Sequence, residues 1–157
     1  MKILPNVLTA VFIVMFFAAA GSAQAVPKRS AAPANQAQPE VQALLSSPAY
    51  AELLLRRTEL ESDLESMLME YTEDYPKIKE TRYELALIQR SGVRLQNVKP
   101  SDAGKLTLAL GKLMVRKAAL ETELWQLQNQ YKDGHPEVKR AKKKVEIFDK
   151  AINEILG

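Results

Sequence analysis

The chain has 157 residues, with 22 Lys+Arg, 19 Asp+Glu, one His and no Cys. That length suits one domain or two small helical units, and the absence of cysteine excludes disulfide frameworks, thiol nucleophiles and zinc ribbons. A formal charge of +3, with both signs interspersed, does not announce a nucleic-acid binder.

The first 25 residues read as a signal peptide. Met1-Lys2 is a short positive start, Val7 to Ala20 is nearly unbroken hydrophobe, and Ala23-Gln24-Ala25 supplies the small-x-small pattern of a cleavage site. The apolar run is short for a bilayer span. Export across the inner membrane to a periplasm is expected, with cleavage after Ala25 or with retention as an N-terminal anchor. Residues 26–47 carry Pro27, Pro33 and Pro39 among Ala and Gln. Such spacing predicts a disordered tether, with one loose turn near Val41–Leu45.

The remainder is one unit written twice. An offset of 60 aligns 53–90 with 113–150 and makes Leu53/Leu113, Arg56/Arg116, Leu60/Leu120, Glu61/Glu121, Leu64/Leu124, Tyr71/Tyr131, Pro76/Pro136 and Lys79/Lys139 identical. Any two amphipathic helices share leucines, but not a Tyr and a Pro at the same separation. Each copy carries a heptad: Leu53, Leu60 and Met67 take position d in the first, and Leu113, Leu120 and Leu127 in the second. Ser47-Pro48 and Ser101-Asp102 offer helix-starting caps. After Tyr71 and Tyr131 the chain reaches Pro76 and Pro136, which lack the N–H an interior helix needs and so break it. Tyr75 and His135 then fall at the caps of new helices.

Two geometries fit these breaks. The second helix of each copy folds back into a hairpin, or the heptad register runs on through a kinked helix; the Asp133-Gly134 turn signal beside Pro136 favours the hairpin. The expected fold is all-α: two tandem heptad-bearing, coiled-coil-like helical hairpins behind the tether. The first hairpin should span 48–91 and the second 102–157, joined by a linker at 92–101 that contains Gly92 and Pro100. The predicted helices are 48–71, 76–91, 102–131 and 136–156.

Tyr131-Lys-Asp-Gly-His-Pro-Glu-Val-Lys139, with Tyr71 to Lys79 as a weaker second copy, resembles the periplasmic helices of polysaccharide chain-length determinants, the polysaccharide co-polymerase family. The likeness covers 51–90 and 111–156. It implies an extended, oligomeric helical scaffold that contacts a polymerase or its growing glycan and performs no chemistry there. The small size, signal peptide and helical arms also resemble the Skp-type periplasmic holdase chaperones.

No catalytic, cofactor or metal site is expected. His135 has no second imidazole to share a metal and no Ser or Cys nearby to activate, so it reads as a cap. No glycine-rich phosphate loop is present, and the carboxylates are scattered over helix faces. Lys139, Arg140, Lys142, Lys143 and Lys144 ring the exposed face of the last helix. They read as solvated surface, or as a patch for an anionic glycan, a membrane surface or an acidic partner. Trp125, beside the seam, reads equally as seam packing or as an interface anchor. Residues 51–90 hold ten acids and six bases, net −4, while 111–157 hold seven acids and ten bases, net +3. Opposite signs predict that the copies pair with each other, within one chain or in a homo-oligomer. The expected function is a non-enzymatic envelope scaffold or adaptor, with a holdase chaperone as the alternative.

Overall fold

A computed structural model describes residues 42–157, and the expected signal peptide and most of the tether lie outside the described residues. Four helices make up the body: α1 (Pro48–Glu70), α2 (Pro76–Gln96), α3 (Leu108–Gln130) and α4 (Pro136–Leu156), with a 3₁₀ segment, Pro100–Lys105, between α2 and α3. Among the described residues there is no strand, so the fold is all-α. The duplication carries into the backbone, since α3 and α4 begin and end 60 positions after α1 and α2.

Each element starts for a local reason. Pro48, Pro76 and Pro136 occupy the first turns of α1, α2 and α4, where a missing N–H costs nothing. The Ser47 hydroxyl accepts the Tyr50 N–H at 3.2 Å, and Thr107 accepts from Leu110 at 3.3 Å in the equivalent place. The N–H of Ala49, one of the orphan donors of a helix start, reaches the Leu106 carbonyl at 3.2 Å. The beginning of α1 is thus tied to the segment that introduces α3.

Three sequence boundaries move. The third helix does not begin near 102: Ser101 and Asp102 lie in the 3₁₀ segment, where Asp102 pairs with Lys105, and Thr107 is the cap. The linker does not begin at 92 either. Gly92 stays helical and α2 continues to Gln96 because Leu95 is fully buried and holds the last turn on the core. The tether ends early as well, since Gln42–Leu45 is helical and Leu44 packs on the core cluster.

Consecutive helices lie side by side, α1 on α2 and α3 on α4, and α3 also packs against both α1 and α2. The chain therefore reverses at 71–75 and 131–135. The guanidinium of Arg56 on α1 holds Glu84 on α2 through two hydrogen bonds of 2.9 and 2.7 Å, across 28 residues that one straight helix would spread over about 42 Å. Glu84 is buried, and the bonds to Glu84 and Glu59 raise the Arg56 pKa against the opposing effect of its partial burial.

The core cluster joins Leu53, Leu60, Leu87, Ile88, Leu95, Leu110, Met114 and Ile152. Leu60 and Leu120 are both buried, as are Ile78 and Val138 at the first turns of α2 and α4. Where α1 crosses α3 the backbones nearly touch. A Cβ added to Gly111 would stand 2.9 Å from the Ala49 Cα and 2.8 Å from the Glu52 Cβ, so only glycine permits this approach.

Candidate functional site

Both chain reversals lie at one end of the molecule, because Asp74 and Pro76 of the first share a cleft with Asn129 and Gln130 of the second helix pair. The two reversals have the same skeleton. Tyr71 and Tyr131 close α1 and α3 in extended conformation (φ −126°, ψ 156° and φ −131°, ψ 152°), and each donates its N–H to the carbonyl four residues back at 2.8 Å. Their rings then stack on the aromatic side chain that precedes each proline. Tyr71 lies on Tyr75 with centroids 4.3 Å apart, and Tyr131 on His135 at 4.2 Å. The repeated Tyr-to-Pro spacing is thereby explained, because it sets two flat rings face to face beside the helix start.

An ion pair clasps each turn at the same offset. Glu73 meets Arg82, and Asp133 meets Lys142 at 3.0 Å. Hydrogen bonds from Lys142 and then Gln128 hold the Asp133 carboxyl below its ordinary pKa, with the Lys142 charge adding to them. Asp74 is lowered likewise by a hydrogen bond from Lys79 and by its charge.

The turns differ in two respects. His135 Nδ1 accepts the Glu137 N–H at 3.3 Å and caps α4, whereas Tyr75 makes no side-chain cap. At the position of Asp74 the second copy has Gly134, so Lys139, the counterpart of Lys79, has no acidic partner among the described residues.

The basic run is therefore not a patch of free charge. Arg140 pairs with Glu137 at 2.6 Å, Lys142 with Asp133, Lys143 with Glu146 at 2.8 Å and Lys144 with Glu123 at 3.4 Å. The bond to Glu146 and its charge raise the Lys143 pKa. Such exposed pairs contribute little to stability. Their effect is to neutralise most of the run locally.

Trp125 stacks on Tyr83 of α2, centroids 5.0 Å apart and planes inclined by 16°, so it joins the two helix pairs rather than the seam of its own pair. Part of the indole stays open and borders the cleft. This cleft of about 480 Å³ is lined by Pro76 and Trp125, by the amides of Gln126, Asn129 and Gln130, and by Asp74, Lys79 and Glu80. It offers a flat apolar surface ringed by neutral hydrogen-bonding groups, with two carboxylates and one ammonium beside them. Of the residues singled out from sequence, Trp125 and Pro76 meet there; the basic run lies along α4. Tyr83, Gln126, Asn129 and Gln130 were not singled out, since nothing in an unpaired helix marks them. Their role arises only when α2 and α3 are side by side.

Among the described residues no group of three or more His, Asp or Glu could hold a metal ion, and no helix is long and apolar enough to cross a membrane. Comparison with protein-family models, curated proteins and solved structures finds no match to this chain.

Proposed function

We propose that the protein is a non-enzymatic scaffold or adaptor of the cell envelope, exported by its N-terminal segment and serving polysaccharide export through its helical surfaces. The observation that supports this most is the cleft at the paired turns. A saccharide ring presents an apolar C–H face and a rim of hydroxyls, and Trp125 with Pro76, surrounded by the amides of Gln126, Asn129 and Gln130, matches both. The cleft is open and shallow, suited to a segment of polymer rather than to an enclosed small molecule. The likeness of Tyr131–Lys139 to chain-length determinants points to the same class of ligand. Protein partners would meet the exposed helix faces.

A photo-crosslinking amino acid in place of Asn129, in living cells, should recover envelope glycan or the machinery that exports it. Recovery of unfolded outer-membrane proteins alone would sink this assignment in favour of a holdase. A holdase would also suppress aggregation of an unfolded outer-membrane protein at near-stoichiometric ratio, which a scaffold would not.

A further inference from the structure

The junction between the two helix pairs is used once inside the molecule, and each of its sides is present a second time on the outside. At the internal junction Leu87 of α2 and Met114 of α3 are 4% and 2% exposed and line a common crevice together with Arg94 and Lys117. Shifting the register by 60 gives the unused counterparts. Leu54 replaces Met114 and is 39% exposed, while Ile147 replaces Leu87 and is 58% exposed. Leu54 lines an open groove between α1 and α2, with Tyr50, Arg57 and Val93. Ile147 stands on the outer face of α4.

We propose that this groove receives α4 of a second copy of the chain, so that molecules join head to tail by repeating the step that joins their own halves. Charge supports a second copy over any other occupant. The internal stack of Trp125 on Tyr83 becomes, in the shifted register, Glu65 opposite Lys143. The like charges Arg94 and Lys117 that share the internal crevice become Glu154 and Arg57, an opposed pair. Both external pairs attract, which accounts for the opposite net charges of the copies. Inside the chain few of those charges are spent on each other. Among the described residues one ion pair links the two helix pairs, Arg94 of α2 with Asp149 of α4 at 3.8 Å, and Asp149 also meets Lys117 at 3.3 Å. In the shifted register Asp149 becomes Gln89, so Glu154 takes over as the acid of the crevice. Arg57 is in addition under-used: its Nε is buried without a hydrogen-bond partner, 3.4 Å from Glu61. Lys143 and Glu154 are held only by neighbours on their own helix, Glu146 and Lys150, exposed pairs that exchange at little cost.

The repetition is not perfect at one point. Ala51 stands where Gly111 permits the closest internal contact, so the external junction is wider there and weaker than the internal one. The interface is heterologous, with the groove of one molecule holding α4 of the next.

Sedimentation of the full chain over a range of concentrations tests this. Wild type should grow from monomer into dimers and longer species. Leu54→Glu and Ile147→Glu should each leave monomers with unchanged helical circular dichroism, and an equal mixture of the two should form a dimer and stop there, since each variant keeps the face the other lacks. Glu65→Lys and Lys143→Glu should each weaken association by about three- to tenfold, and the double exchange should restore it; both sites are exposed, so folding is unaffected. Ala51→Gly should tighten association. A chain that stays monomeric, association indifferent to Ile147→Glu, or a mixture that stays monomeric would each overturn the proposal. A monomer that still crosslinks glycan or its machinery would remove the assembly and leave the proposed function standing.

Discussion

Helices α1 and α3 are copies of each other, yet they bury different amounts of the same surface. Leu60 and Leu120, at the same heptad position of each copy, are equally buried. Gly111, Met114, Ala118 and Thr122 on α3 are also buried, but their counterparts Ala51, Leu54, Thr58 and Ser62 on α1 are all exposed. The difference separates two jobs that a helix in a repeat performs. One stripe makes the unit, and it is the same in both copies. The second stripe joins units, and its residues become small and closely packed only where a neighbour lies against them.

The stripe that makes the unit should show the largest effect. Leu60→Ala removes a leucine from the core cluster and Leu120→Ala one that is equally buried, and each should cost about 2–5 kcal/mol in urea unfolding. Similar losses would affirm that the two pairs rest on equivalent seams; a loss confined to Leu120 would show that the first pair is held mainly by its neighbour. Second in size is the joining stripe. Gly111→Ala gains up to about 1 kcal/mol of helix propensity, but its methyl meets the Ala49 backbone at 2.9 Å, and pushing α1 from α3 costs about 1–3 kcal/mol. A net loss of about 1–2 kcal/mol is expected, and a stabilised variant would break the comparison.

The smallest effect compares the two turns. The folded Asp133 carboxyl lies below its ordinary value of 3.8, so its contribution is present above that value and is lost as pH falls through the lower folded one. Lys142→Met removes the leading hydrogen bond. It should bring the Asp133 titration, followed by carboxyl NMR, back towards 3.8 and leave that of Asp74 alone. An unmoved Asp133 would mean that the second turn is not clasped as the structure has it.

What could be read from sequence was what depends on neighbours along the chain. Heptad positions locate Leu60 and Leu120, and the Tyr-to-Pro spacing locates both breaks. The Thr107 cap was also within reach, since it lies 60 residues after Ser47, although Ser101-Asp102 beside Pro100 made a stronger local signal. The continuation of α2 through Gly92 was not legible, because a glycine punctuates a helix unless something beyond it is buried, and the burial of Leu95 is a tertiary fact. The same holds for the cleft. Its lining comes from a turn and from the end of α3, and no pattern on either segment announces the other. The opposite charges of the copies were legible, but not where they act, since among the ion pairs of the described residues only Arg94 with Asp149 links the two helix pairs.

The bond from the Ala49 N–H to the Leu106 carbonyl also imposes a schedule on the nascent chain. Its acceptor lies 57 residues after its donor, so in a chain that emerges N-terminus first, from a ribosome or an export channel, the donor waits for the acceptor. Over that interval α1 and α2 can pair along their lengths while the first turn of α1 still gives its N–H to water. The start of the oldest helix is therefore among the last parts of the first pair to be finished, and it is finished by the segment that launches the second.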